Sequence, residues 1–241
     1  MSLHPSKTKC MLIGSANKIK SIGNLELFIN DAKLVNVVVQ KLLGVYIDNT
    51  LNWHVQIDNV CKNLNRKIAL LKNIIYFLTP DMKLLFYNAY ILPIFDYGCL
   101  VWGKGTNSYV NKINSLQKRI AKIILGKSKR APSTDLFKEL KWLNFSDRCR
   151  YHSAVLVYKT LNNMAPSYMS EIVSFSENNL YMLRSITNKD LVLQTRPRTN
   201  YMTSSFSYYS RNVWNAIALE IRESENIKTF KIKLKQNLIG E

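Results

Sequence analysis

The spacing of apolar residues changes once along this chain, near residue 54, and that change limits the folds it can adopt. Before it, Leu25, Leu27 and Ile29 alternate with other residues, which is the two-residue period of a strand. After it, apolar residues recur at three- and four-residue steps: Ile57, Val60, Cys61, Leu64, Ile68, Leu71, Ile75 and Leu78. This is one face of an amphipathic helix of about 24 residues. The sequence therefore predicts strands first and helices afterwards.

The first 48 residues favour further strands. Short apolar or β-branched runs lie at residues 9–14 and 34–39, and turn residues at 30–33 predict that the second run forms a hairpin with residues 25–29. A fourth strand is predicted at 42–47, with Gly44 inside it. A glycine inside a strand indicates close approach of another backbone or a ligand, and a simple bulge is the alternative.

Helices are predicted over most of the remaining chain. Thr79 and Pro80 have the pattern of an N-cap and a first helical residue, and Pro93 predicts a kink. The predicted helices cover residues 81–102, 109–125, 134–142, 147–163, 207–221 and 227–238. The polar stretch at 174–205 is predicted to be a loop-rich crossing or a linker. The fold class is thus α+β, mostly α.

The distribution of charge indicates a polyanionic partner. The chain has 34 basic and 16 acidic residues, a formal net charge of +18. No acidic residue lies between Asp96 and Asp135, whereas eight basic ones do: Lys104, Lys112, Lys118, Arg119, Lys122, Lys127, Lys129 and Arg130. A solvated helix face usually mixes both signs, so the counter-charges expected here are phosphates. An excess of charge kept for solubility is the alternative.

No catalytic or metal-binding motif accompanies this charge. Four cysteines lie far apart without a C-x-x-C pair, and three histidines have no zinc spacing, so we expect free thiols and a reducing compartment. The sixteen acidic residues are scattered, with no two adjacent, and we expect this chain alone to bind no metal or cofactor. Without a signal-peptide pattern or an uninterrupted apolar span, the protein is predicted to be intracellular, nuclear or cytoplasmic, and neither secreted nor in a membrane.

Several strings, in register, resemble the reverse transcriptases of non-LTR retrotransposons, and the jockey-like group most closely. The strings with the clearest likeness are HPSKTK at 4–9 (N-P-x-K-T-K in the family), KLLGVYID at 41–48 (K-Y-L-G-V-x-I-D), YNAYILPIFDYG through VWG at 87–103 (Y-x-x-x-I-x-P-x-x-x-Y-G-x-x-x-W-G) and LQKRIA at 116–121 (L-Q-x-R-x-x-R). Residues 158–162, 196–200, 214–215 and 221–222 follow in the family's order. The resemblance covers almost the whole chain.

This resemblance implies an organisation and a partner. Residues 1–53 correspond to the end of the palm, a short antiparallel sheet. Residues 54–132 correspond to a helical thumb-like basic bundle, and residues 133–241 to a helical C-terminal segment. The implied partners are RNA and DNA, as a template–primer duplex held mainly by its phosphates and sugars. The eight basic residues from Lys104 to Arg130 suit that role.

The resemblance also implies roles for individual residues. Leu43, Gly44 and Val45 correspond to the primer grip, where a glycine allows close backbone approach. Lys7 corresponds to a lysine near the nucleotide triphosphate, an accessory group in a complete enzyme; the alternative is a surface lysine. Mg²⁺ is the expected cofactor of a complete polymerase.

One departure limits the implied activity. The family's aromatic-Ala-Asp-Asp signature, upstream of the N-P-x-K-T-K string, does not occur in these 241 residues, and His4 replaces the family's Asn. We therefore expect a polymerase fragment that binds nucleic acid but is inactive alone. A standalone nucleic-acid-binding or scaffold protein and a non-functional remnant are the other hypotheses, and the oligomeric state stays open.

Overall fold

A computed structural model describes most of the chain. The described residues are 4, 7–23, 25–105, 107–128, 130, 132–173, 190–191 and 197–240. The fold is α+β and mostly α, as the sequence predicts. The chain divides into two compact units, residues 1–62 and 63–241. No helix in the described ranges combines the length and the apolar composition needed to cross a membrane.

Short strands dominate the first unit. Its elements are β1 (Lys9–Cys10), α1 (Ala16–Ile22), β2 (Phe28–Ile29), β3 (Ala32–Lys33), β4 (Val35–Asn36), β5 (Val39–Leu42) and β6 (Val45–Asp48). Strands β2 and β3 pair antiparallel, as do β5 and β6, with Leu42 opposite Val45. Strands β1 and β4 pair in parallel, with Lys9 opposite Val35. The described strands thus form three two-stranded ladders.

Three details of the predicted sheet were wrong. The first hairpin is tighter than predicted, because Asn30 and Asp31 both adopt positive φ and close a two-residue turn between β2 and β3. Gly44 lies in a turn, not inside a strand. The β1–β4 pair is parallel, and helix α1 was not foreseen; the side chain of Ser15 caps it by accepting a hydrogen bond from the amide of Lys18.

The long helix predicted after residue 54 is confirmed. It is α2, His54–Ile74. Its buried apolar side chains are Ile57, Val60, Cys61, Leu64, Ile68 and Leu71, six of the eight predicted. Ile75 and Leu78 lie beyond its end, because a 3₁₀ turn at Ile75–Phe77 terminates the helix. Periodicity alone does not mark this stop.

The single helix predicted at 81–102 is interrupted. It comprises α3 (Pro80–Phe86), a π-helical turn (Tyr87–Ile91), α4 (Leu92–Asp96) and α5 (Cys99–Trp102). The predicted N-cap is confirmed, since the hydroxyl of Thr79 accepts a hydrogen bond from the amide of Met82 at 3.4 Å. Gly98 adopts φ 62° and separates the last two helices, a conformation that favours glycine.

The other described residues of the second unit are mostly helical. Its elements are α6 (Asn107–Leu125), α7 (Ser133–Leu140), α8 (Phe145–Leu161), α9 (Asn200–Ser204), α10 (Phe206–Asn215), α11 (Leu219–Arg222) and α12 (Ile227–Gly240). Helix α8 packs against α10 and α12 around Tyr158, Trp214 and Phe230; the rings of Tyr158 and Phe230 are stacked at 4.4 Å. The predicted loop-rich stretch at 174–205 lies mostly outside the described residues.

Candidate nucleic-acid interface

Helix α6 has a sharply defined buried side. The buried residues on it are Ile113, Gln117, Ile120, Ala121 and Ile124. Gln117, which the sequence analysis missed, donates from Nε2 to the carbonyl of Leu143 at 2.9 Å and to the hydroxyl of Tyr87 at 3.3 Å. Leu116 and Ile123 are only half buried. The polar contacts of Gln117 therefore help to fix the rotation of α6 about its axis.

The opposite side of α6 carries positive charge. Lys112, Arg119 and Lys122 recur at steps of seven and three residues, so they share one side of the helix, and Lys118 lies next to it. Lys112 and Arg119 are exposed, whereas Lys118 and Lys122 are half buried. From Lys112 to Lys122 the row extends about 15 Å at the rise of an α-helix. We call these four residues the α6 basic face; the helix contains no acidic residue.

The loop after α6 extends this charge. Gly126 adopts φ 64° and ends the helix. The Nζ atom of Lys127 lies 3.6 Å from a carboxylate oxygen of Glu139, and both side chains are about half exposed. Arg130 is exposed. Lys129 lies outside the described residues.

Lys104 has a different environment from the other basic residues. Its Nζ atom lies 3.2 Å from the ring centroid of Tyr209 in α10, the geometry of a cation–π contact. Burial lowers the pKa of Lys104 from its ordinary value of 10.5 to about 8. This lysine therefore meets a phosphate on less favourable terms than a fully solvated one.

In the first unit, Leu43 and Gly44 form the tip of the β5–β6 hairpin. Both have positive φ, 46° and 84°, which is the pattern of a type I′ turn. Leu43 is 84% exposed, whereas Val45, at the start of β6, is buried. Lys7 is also exposed, in a turn where its amide donates to the carbonyl of His4 at 3.0 Å.

A buried carboxylate, Asp48, holds the connection after this hairpin. One of its oxygens accepts from the amide and hydroxyl of Thr50, at 3.1 and 2.7 Å, and from the amide of Asn52 at 3.0 Å. The other accepts from the amide of Trp53 at 2.7 Å. Burial alone would raise the pKa of Asp48, but these hydrogen bonds keep it below its ordinary value. The carboxylate is thus committed to the backbone.

Asp96 is committed in the same way in the second unit. It forms a two-point ion pair with Arg148, and the Nε2 atom of His152 lies 3.2 Å from one of its oxygens. Burial raises the pKa of Asp96, yet its contacts with His152 and Arg148 lower it below the ordinary value. Among the described residues, no group of three or more His, Cys, Asp or Glu side chains gathers where it could hold a metal ion.

Comparison with known proteins gives two related sequences. No protein-family model matches the chain, and no solved structure matches it. The "Probable RNA-directed DNA polymerase from transposon X-element" of Drosophila melanogaster is 28% identical over 117 residues, 47% of this chain and 13% of the relative. The "RNA-directed DNA polymerase from mobile element jockey" of the same species is 25% identical over 167 residues, 68% of this chain and 17% of the relative. The chain thus spans less than a fifth of either polymerase.

Proposed function

We propose that this chain, a jockey-like relative of reverse transcriptases, contributes template–primer binding to an RNA-directed DNA polymerase of a non-LTR retrotransposon. The observation that carries the proposal is the α6 basic face. It is a row of basic side chains on one side of α6. The buried apolar residues on the opposite side and the hydrogen bonds of Gln117 fix the rotation of the helix about its axis.

A polymerase that copies any sequence has to hold its duplex by phosphates and sugars, because base contacts would restrict the templates it accepts. Lysine and arginine side chains on one rigid helix meet this need. They lie on one side of the helix, and the helix itself contains no acidic residue. Lys127 and Arg130 extend the same positive region beyond the end of α6.

Two elements of the first unit would serve a complete enzyme. The exposed tip at Leu43 and Gly44, with Val45 anchoring it, would contact the primer end. Lys7 would neutralise charge on the incoming triphosphate, with Mg²⁺ held by carboxylates of the complete polymerase. Both assignments rest on the resemblance of the strings at 4–9 and 41–48, and the exposure of Lys7 and Leu43 is compatible with them.

These 241 residues alone are expected not to polymerise, since two-metal phosphoryl transfer needs carboxylates placed together and the aromatic-Ala-Asp-Asp signature does not occur in this sequence. The test is primer extension by the purified chain on a primed RNA template with Mg²⁺ or Mn²⁺. We expect no extension. Robust extension would show that the chain holds a catalytic centre of its own.

Binding is tested by fluorescence anisotropy with a blunt RNA–DNA hybrid at several salt concentrations. The variant Lys112→Glu/Arg119→Glu/Lys122→Glu removes the α6 basic face. The matched control, Lys228→Glu/Lys231→Glu/Lys235→Glu on α12, changes the net charge by the same amount. We expect the first variant to bind at least about tenfold more weakly, with the slope of log K against log salt smaller by about 2–3.

The control is expected to keep nearly the wild-type slope. Equal losses in the two variants would mean that net charge, not the α6 basic face, determines binding, and the assigned surface would be wrong.

A further inference from the structure

Two aromatic rings project from the turn between α2 and α3. Tyr76 and Phe77 are 91% and 84% exposed, although large aromatic side chains contribute most to stability when buried. We call these two residues the aromatic tip. Two adjacent exposed rings form a surface that folding of the described residues does not use, and such surfaces mark sites of interaction.

The aromatic tip is held in place by its backbone. Tyr76 and Phe77 belong to a single 3₁₀ turn, Ile75–Phe77, in which the amide of Leu78 donates to the carbonyl of Ile75 at 3.4 Å. Helix α2 ends immediately before this turn, and the capping residue Thr79 follows it closely. A partner that binds the two rings therefore meets a surface with little backbone entropy left to lose.

The helical segments on both sides of the tip are rich in basic residues. Between residues 63 and 90 there are four basic residues, Arg66, Lys67, Lys72 and Lys83, and one acidic residue, Asp81. The Nζ atom of Lys67 lies 5.2 Å from the ring centroid of Tyr90, which is itself 54% exposed. Exposed aromatic rings among lysines and arginines are typical of proteins that bind unpaired nucleotides, where rings stack on bases and cations contact phosphates.

The aromatic tip also lies close in the chain to a helix that contacts α6. Helix α3 begins at Pro80, three residues after Phe77, and packs against α6. Tyr87, directly after α3, contacts Gln117 of α6. The tip thus immediately precedes a helix that packs against the one carrying the α6 basic face.

We propose that Tyr76 and Phe77 form a stacking site for unpaired bases of a template strand, next to a duplex bound along the α6 basic face. The proposal rests on the function proposed above and adds a second class of contact to it. The basic residues of the flanking helical segments favour nucleic acid as the occupant over an apolar protein surface, and the π faces of the rings accept any base, as a template requires.

The experiment compares a blunt RNA–DNA hybrid with the same hybrid carrying a five-nucleotide single-stranded extension of the RNA template. We expect the wild-type chain to bind the extended substrate roughly tenfold more tightly. The variant Tyr76→Ala/Phe77→Ala is expected to bind both substrates equally, with its affinity for the blunt hybrid unchanged. Tyr168→Ala, which removes another exposed ring (64%), is the matched control and is expected to keep the preference.

Two further variants separate stacking from apolar contact. Tyr76→Trp/Phe77→Trp is expected to keep the preference for the extended substrate, whereas Tyr76→Leu/Phe77→Leu, which retains apolar area without a π face, is expected to lose it. A preference that survives in the leucine variant would overturn the stacking site. So would a wild-type dimer, seen by sedimentation, that the alanine variant converts to monomer, because a second copy would then occupy the tip.

Failure of this proposal is distinguishable from failure of the proposed function. If the wild-type chain binds the blunt hybrid and the extension adds nothing, the stacking site is wrong and the duplex-binding function stands. If it binds neither substrate, the proposed function is wrong and the stacking site falls with it.

Discussion

Arg148 on α8 forms a two-point ion pair with Asp96, the last residue of α4. The Nε atom of Arg148 lies 2.6 Å from one carboxylate oxygen, and a terminal guanidinium nitrogen contacts the other. The two residues are 52 positions apart, and their side chains are only 15% and 26% exposed. In the sequence, Asp96 directly precedes the tyrosine and glycine of the segment at 87–103 that resembles the reverse transcriptases. In the fold, it joins the α3–α5 run to α8.

Removing one member of this pair is expected to cost substantial stability. In Arg148→Ala, the carboxylate of Asp96 stays largely buried without its main partner, and we expect unfolding of the chain to become easier by about 2–4 kcal/mol. Urea denaturation measures the change. Glu139→Gln, which breaks the half-exposed contact with Lys127, is the control and is expected to change stability by less than about 1 kcal/mol. Equal effects would refute a structural role for the pair.

The same carboxylate predicts a loss of stability in acid. The folded pKa of Asp96 lies below its ordinary value of 3.8, so below that value the unfolded state binds more protons than the folded state. The stabilisation is complete above the unfolded pKa and is lost as pH falls through the folded pKa. We expect Asp96→Asn to be less stable than wild type at neutral pH, and the difference to shrink towards pH 2. A difference independent of pH would contradict this assignment.

Lys104 predicts a second pH dependence, at high pH. Its pKa is about 8 in the folded chain and 10.5 ordinarily, so between these values the unfolded state holds more protons. The free energy of unfolding is therefore expected to rise as pH increases from 8 to 10.5, because the unfolded state loses its excess of bound protons over this range. Thermal unfolding of wild type and Lys104→Met over this range measures it, with the exposed Lys228→Met as control. The control is expected to keep the wild-type rise, and a rise that persists in Lys104→Met would assign the titration to another group.

Asp48→Asn is expected to destabilise the first unit. If the asparagine oxygen keeps the three hydrogen bonds from Thr50 and Asn52, its NH₂ group takes the place of the oxygen that accepts from the amide of Trp53. Two hydrogen-bond donors, the NH₂ group and the Trp53 amide, would then face each other. We expect a loss of about 1–3 kcal/mol. Hydrogen exchange at the amides of residues 48–53 is the more sensitive measurement. Leu51 and Trp53 have positive φ, at 53° and 63°, so this backbone needs the hydrogen bonds of Asp48 to keep its conformation. Unchanged protection there would mean that the carboxylate does not hold this backbone.

Leu43 is expected to separate stability from binding. A leucine at φ 46° is strained, and asparagine tolerates this conformation better. Leu43→Asn should therefore stabilise the hairpin by up to about 1 kcal/mol. If the end of the β5–β6 hairpin contacts a primer, as we propose, the same variant should bind a primed template more weakly. Val38→Asn, another exposed apolar position in the first unit (63%), is the control for both measurements.

The sequence predicts the elements whose pattern is local. The stripe from Ile57 to Leu71 and the cap at Thr79 were recognisable because a helix repeats its contacts every three or four residues. The basic side of α6 was recognisable because charge, like apolarity, follows the helix period. Its rotation was less certain: a buried Gln117 carries no apolar signal, and only its partners Leu143 and Tyr87 explain it.

The features that sequence analysis missed depend on distant partners. The pairing of Asp96 with Arg148 and the contact of Lys104 with Tyr209 join residues far apart in the chain, and no local pattern marks them. Details of the strands were predicted wrongly for a related reason. Ladders of two to four residues are too short for a two-residue period to define, so turn conformations such as those of Asn30 and Gly44 decide where they pair.

The π-helical turn at Tyr87–Ile91 restricts where this chain can change in length. The turn holds one residue more than an α-helix would need, and Tyr87, Ile91 and Phe95 are all buried. Deleting one residue there would leave a regular α-helix and keep the following segment close to its present orientation. Inserting one residue or deleting two would rotate that segment by about 100° about the helix axis and move Phe95 and Asp96 out of their contacts. We therefore expect relatives to differ in length within residues 87–96 by the loss of this one residue at most, and other insertions and deletions to fall outside the segment.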